Sequence, residues 1–179
     1  MDQQTVNDFW FRETKPRQWF ARDPDFDGLI KARFQSVHDA ASRGELYEWR
    51  DTAAGRLAEI IVLDQFSRNI YRDTPLAFAF DAPALLLAQE AIRANAHSIL
   101  TPQQKIFLYM PFMHSESPLI HRRAVELFGE PGLEGNLEYE LKHKAIIDRF
   151  GRYPHRNAIL GRVSTAEEIA FLNSPDSSF

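Results

Sequence analysis

Apolar residues recur along this chain at the three- and four-residue spacing of amphipathic helices, and no stretch keeps the alternation of a half-buried strand. Phe26, Ile30, Phe34, Val37 and Ala41 form the first clear stripe, with Lys31, Arg33 and Asp39 off it. This predicts a surface helix over 26–42, capped by Asp25 and ended by Gly44. The next run differs. Leu57, Ala58, Ile60, Ile61, Val62, Leu63 and Phe66 cover nearly the whole circumference, which predicts a central, buried helix over 54–66. Asp81 opens a helix over 82–95 with Leu85, Leu86, Ala88 and Ile92 inward, and Thr101-Pro102 opens another that Pro111 ends or kinks. Ser117-Pro118 starts a helix to about residue 128, and two more cover 136–150 and 165–173, the last with a capping box made by Ser164 or Thr165 with Glu167 or Glu168. Near the start, Phe9, Trp10, Phe11, Trp19 and Phe20 are too aromatic for water and are expected to plug the core. The expectation is an all-α fold, one domain over 1–179, of about seven helices joined by short loops.

Composition narrows the function classes. At 179 residues and 44% apolar, the chain can bury a core without staples. A net charge of −4 gives no global basic field, so no nucleic-acid partner is expected. The absence of Cys excludes disulfides, thiolate catalysis and Cys-based zinc sites. No signal pattern or apolar run of about 18 residues is apparent, which points to a soluble cytoplasmic protein with no membrane partner.

The strongest chemical signal is the segment 149–162. It carries Arg149, Arg152, Arg156, Arg162 and His155 with no acid, and its two glycines and one proline preclude a continuous helix. Such cations need carboxylates within the protein or an anion from outside. Sixteen Arg stand against five Lys in the whole chain, a bias that suits two-pronged contacts to carboxylate or phosphate but also follows from a GC-rich genome. Asp64, at the C-terminal end of the central helix, faces the unfavourable pole of the helix dipole; if buried it requires a partner, and Arg68 is nearest. His143 lies within an apolar stripe with Tyr139, Ile146, Ile147 and Phe150, either as a core histidine or as a pocket wall. No His-Glu-x-x-His, Gly-x-Ser-x-Gly or phosphate-binding glycine loop occurs, so no metal, cofactor or nucleophile is assigned.

Leu63-Asp-Gln-Phe-Ser-Arg-Asn69, Ala77-Phe-Ala-Phe-Asp81, Pro111-Phe-Met-His-Ser-Glu116 and Arg149 through Arg162 together resemble the signature blocks of a bacterial family, domain of unknown function 924. Phe9-Trp-Phe11 and Thr165 through Leu172 extend the resemblance over essentially the whole chain. Ser67 stands where Pro is expected in that pattern. The resemblance implies an all-α fold similar to tetratricopeptide-like helical superhelices, and no established activity. Three readings follow. A pocket among Arg68, Asn69, His114, Glu116, His143, Arg152, His155, Arg156 and Asn157 binds a small anion, phosphate or carboxylate. Alternatively, a concave face grips a peptide or protein partner. In the third, the polar blocks are a purely structural network, with Asp64 in an ion pair. The residues sit at helix ends, where ligand contacts concentrate, which favours the first.

Overall fold

The structure, a computed structural model, describes residues 1–174; the end of the expected 1–179 span lies outside them. The described residues are helical with no strand, and they divide into two compact units. The first comprises Met1–Arg72 and Leu76–Pro111, the second Asp73–Pro75 and Phe112 onward.

The first unit begins with α1 (Gln3–Asp8), capped by the Asp2 side chain, and runs directly into a π-helical turn, Phe9–Glu13. That wider turn presents Phe9 and Trp10 together to the interior. Both are buried, and they meet Phe26, Phe34, Phe66 and Phe107 at ring-centroid distances from 4.7 to 6.4 Å. Trp19, on α2 (Pro16–Trp19), closes this cluster and donates its indole N–H to the Trp10 carbonyl at 3.0 Å. Phe20 departs from expectation. It is exposed, lying against Phe107 from outside.

Helix α3 (Pro24–Ser42) begins two residues earlier than the spacing suggests, because Asp23 rather than Asp25 caps it, with Pro24 in the first helical position. Its buried face is Phe26, Ile30, Phe34, Val37 and Ala41, joined by His38. The central rod is α4 (Ala53–Ile61), a π-helical turn Val62–Phe66, and α5 (Ser67–Ile70), with every residue from Leu57 to Ser67 buried. Gly55 is required there. A Cβ would lie 2.0 Å from the Trp49 carbonyl oxygen, so any side chain would push the preceding 3-10 turn (Tyr47–Asp51) away.

Helix α6 (Asp81–Arg93) buries Ala84, Ala88 and Ala91, not the expected leucines; Leu86 is exposed. Small residues let α6 lie close to α4. By length and composition the 19 residues Pro75–Arg93 suffice to cross a membrane. Yet Pro75–Ala77 is a separate 3-10 turn, and α6 alone has 13 residues, about 20 Å of helix against the ~30 Å of a hydrocarbon core. Helix α7 (Pro102–Met113) continues through Pro111 for two residues, so of the two expected outcomes the proline does not end it.

In the second unit α8 (Pro118–Phe128) packs on α9 (Glu134–Phe150), which Gly151 ends in the left-handed conformation at φ 69°. A 3-10 turn (Pro154–Arg156) and α10 (Ala166–Leu172), with its Thr165/Glu168 capping box, follow. Ile146, Ile147 and Tyr153 form one core cluster, flanked by Phe150 and Phe171, and Ala124, Leu127, Phe128 and Leu133 are buried as well. Tyr139 is exposed, so the α9 stripe is narrower than its spacing suggests.

Candidate functional site

The sequence places Arg68 and Asn69 in the candidate set, and both lie in the first unit. Asp64 is fully buried in the π-helical turn. Its Oδ1 is 3.5 Å from Arg68 Nη1, and that same nitrogen donates to the Asp64 carbonyl at 2.6 Å. Arg68 Nη2 reaches Asp81 Oδ1 at 2.9 Å, so one guanidinium serves two carboxylates. Gln65 Nε2 bonds the remaining Asp64 oxygen at 2.5 Å. Asn69 donates to Asp27 at 2.8 Å, beside Arg72, which grips the same carboxylate. Ser67, where Pro was expected, donates to the Leu63 carbonyl at 2.5 Å and therefore accepts from His38 Nε2 at 2.7 Å. Its proton is committed to a backbone carbonyl, so this Ser–His contact is not an activated nucleophile. Burial pushes His38 below its ordinary value.

The second unit collects the other candidates around Tyr153. Its ring is fully buried, held by α9 and by the bend that Gly151 and Pro154 impose. Arg156 lies over that ring, its guanidinium carbon 4.6 Å from the centroid, and donates from Nη2 to the His114 carbonyl at 3.1 Å. The rings of His155 and His143 sit 5.4 and 5.8 Å from Tyr153. His143 donates from Nδ1 to the Tyr139 carbonyl at 2.8 Å, one turn back on its own helix. Burial pushes it down to about 3; that hydrogen bond acts the other way, and charge on His114, His121 or His155 would lower it further. His143 is therefore neutral near pH 7. His114 and His155 are half-buried.

The remaining arginines of 149–162 face carboxylates. Arg162 forks onto Glu116 at 2.7 and 2.9 Å, and Glu116 also accepts the Tyr153 N–H at 2.7 Å. Burial works to raise the Glu116 carboxyl, but those hydrogen bonds and the charges of Arg156 and Arg162 hold it below its ordinary value. Arg152 forks onto the buried Glu168 at 2.6 and 2.8 Å. That contact foremost, against the opposing effect of burial and with help from the Thr165 N–H and Asn157, lowers Glu168 to about 2. Arg149 pairs with Glu167 at the surface. Asn157 is buried, bonding Ser164 at 3.0 Å and accepting from Arg162 at 2.9 Å.

Three residues of this network escaped sequence reasoning. In the sequence Glu168 stands out only as one of two capping-box candidates, with Glu167. His121 and Glu140, fully buried and 2.7 Å apart, lie on the inner faces of α8 and α9. The available signal was spacing: His121 shares a face with Ala124 and Phe128, and Glu140 with His143 and Ile147. Among the described residues, no group of three or more His, Asp or Glu side chains is placed to hold a metal ion.

Comparison with known proteins agrees with this architecture. No curated protein matches the chain significantly. A solved structure, a protein of unknown function (ATU0120) from Agrobacterium tumefaciens, superposes with a TM-score of 0.91 at 38% identity, covering 96% of each chain. The family model for the bacterial proteins of unknown function DUF924 matches residues 6–176, nearly the whole length. The chain is a member of the DUF924 family.

Proposed function

We propose that the second unit binds a small anionic ligand, phosphate or a carboxylate, against His114, His155 and Arg156. The observation carrying this reading is the grouping around Tyr153: the buried Arg156 guanidinium over its ring and bonded to the His114 carbonyl, and the half-buried His155 imidazole, beside a histidine held neutral. Guanidinium and imidazole N–H groups are the donors that oxyanions select. They stand in the turn after Met113 and in the bend after Gly151, connections of the kind where ligand contacts concentrate.

Thermal melts test the reading. Millimolar phosphate, at constant ionic strength, raises the melting temperature of wild type in proportion to occupancy, because a ligand of the native state alone stabilises it. His155→Ala and Arg156→Lys lose most of that shift. Melting curves indifferent to phosphate and to small carboxylates, or shifts of equal size in all three proteins, contradict it.

A second reading has its own support. Arg149, Arg152 and Arg162 each have a carboxylate partner, as a purely structural polar network requires. On that reading the protein is a tetratricopeptide-like module for a peptide or protein partner, and Arg156→Lys melts early with no anion dependence in any variant.

A further inference from the structure

The interior of the second unit holds a pair of ionisable side chains that the proposed anion contacts do not use. His121, on α8, places Nδ1 2.7 Å from Oε1 of Glu140, on α9, and neither side chain is exposed. The other ring nitrogen fixes the proton count. Nε2 lies 2.8 Å from the Ser115 carbonyl, which only accepts, so Nε2 carries a hydrogen. The Tyr153 hydroxyl is 3.2 Å from the same nitrogen and donates its own proton to the Met113 carbonyl at 2.5 Å; it too accepts from His121. One proton is left for the Nδ1–Oε1 bond. Either an imidazolium faces a carboxylate, or a neutral imidazole accepts from a neutral acid.

We propose that Glu140 is a protonated carboxylic acid donating to Nδ1 of a neutral His121, and that this pair positions the His114-Ser115-Glu116 turn and the Tyr153 hydroxyl. The second Glu140 oxygen carries the choice. Oε2 is buried and has no hydrogen-bond partner. An ionised carboxylate would leave charge unsolvated on that atom, whereas in the neutral acid Oε2 is a carbonyl oxygen and far cheaper to bury. The surroundings offer little compensation. From α8 the facing group is His121 itself, and from the loop it is the neutral Tyr153 hydroxyl. On α9, His143 is neutral, and Lys144 already pairs with Asp148. Burial accordingly pushes the Glu140 carboxyl up, more than His121 and Lys144 bring it down.

The consequence is a directed chain of hydrogen bonds: Glu140 O–H to Nδ1, then Nε2–H to the Ser115 carbonyl. Ser115 lies between His114 and Glu116, so the pair sets the backbone that carries both. Glu140 and His121 are positioning residues in this role. The assignment stands apart from the anion reading, since it is measured with no ligand present.

Long-range 1H–15N spectra of the 15N-labelled full chain near pH 7 test it directly. The expected His121 signature is an unprotonated, hydrogen-bonded Nδ1 and a protonated Nε2; two protonated nitrogens overturn the proposal. Glu140→Gln supplies an amide N–H in place of the acid. It should melt within a degree or two of wild type and keep that signature, whereas a large drop in melting temperature points to an ion pair and overturns the assignment. Glu140→Asp, one methylene short, should shift the backbone resonances of residues 114–116 and the Tyr153 ring, which Glu140→Gln leaves in place. Unmoved resonances in Glu140→Asp overturn the positioning role.

Discussion

Arg162 holds Glu116 with both prongs of its guanidinium, Nη1 2.7 Å from Oε2 and Nη2 2.9 Å from Oε1. Since Glu116 also accepts the Tyr153 N–H, one carboxylate ties the turn after α7 to both ends of the 153–162 loop. Glu116→Gln removes the charge and one acceptor oxygen while keeping the shape. The expected cost is roughly 1.5–3 kcal/mol, toward the low end because both side chains are partly exposed. Urea unfolding measures it; an unchanged midpoint would show that the fork contributes nothing.

Arg152 and Glu168 make the same kind of fork, but here the carboxylate is buried. Glu168 is lowered to about 2, so its contribution is fully present above its ordinary 4.5 and is lost as pH falls through 2. Arg152→Ala should flatten this part of the acid unfolding profile and lower the melting temperature near pH 7. An acid profile identical to that of wild type argues against the pairing.

His143 has the same sign by a different cause. Its folded value of about 3 lies below the ordinary 6.5 because burial penalises the charged ring. The unfolded chain binds the extra proton first, so stability from this group is complete above 6.5 and declines as pH falls toward 3. NMR titration of the imidazole signals should find His143 still neutral at pH 5. A midpoint near 6.5 would place the ring in water.

Asp64→Ala removes the carboxylate between Gln65 and Arg68 in the first unit. Removing one partner of a buried pair costs on the order of 3–5 kcal/mol. A thermal melt within a degree or two of wild type would mean that Asp64 carries no such load.

The helices were legible because their apolar periodicity is strong: α3 and α9 begin and end within two residues of their expected bounds, and α4 with the π-helical turn after it spans Ala53 to Phe66. Misreadings arose where tertiary context overrides a local signal. Pro111 remains helical, since proline bars a backbone donor without ending every helix. Leu86 points outward because α6 approaches α4 through alanines. Neither π-helical turn leaves a mark in a 3.6-residue pattern, yet the one at Val62–Phe66 carries Asp64. The basic segment was visible as charge, but its partners Glu116, Glu167 and Glu168 lie tens of residues away or just beyond it in chain order. The His121–Glu140 pair was hidden for a related reason: each residue is a lone polar position on an apolar face, and only the packing of α8 on α9 makes them a pair.

Anion binding by His114, His155 and Arg156 is tested by a histidine-resolved NMR titration with inorganic phosphate at fixed pH and ionic strength. Saturable shifts at His114 and His155, with His38 and His97 of the first unit unmoved, are the predicted result. Shifts absent at His114 and His155, or shared equally by all the histidines and growing without saturation, would contradict it.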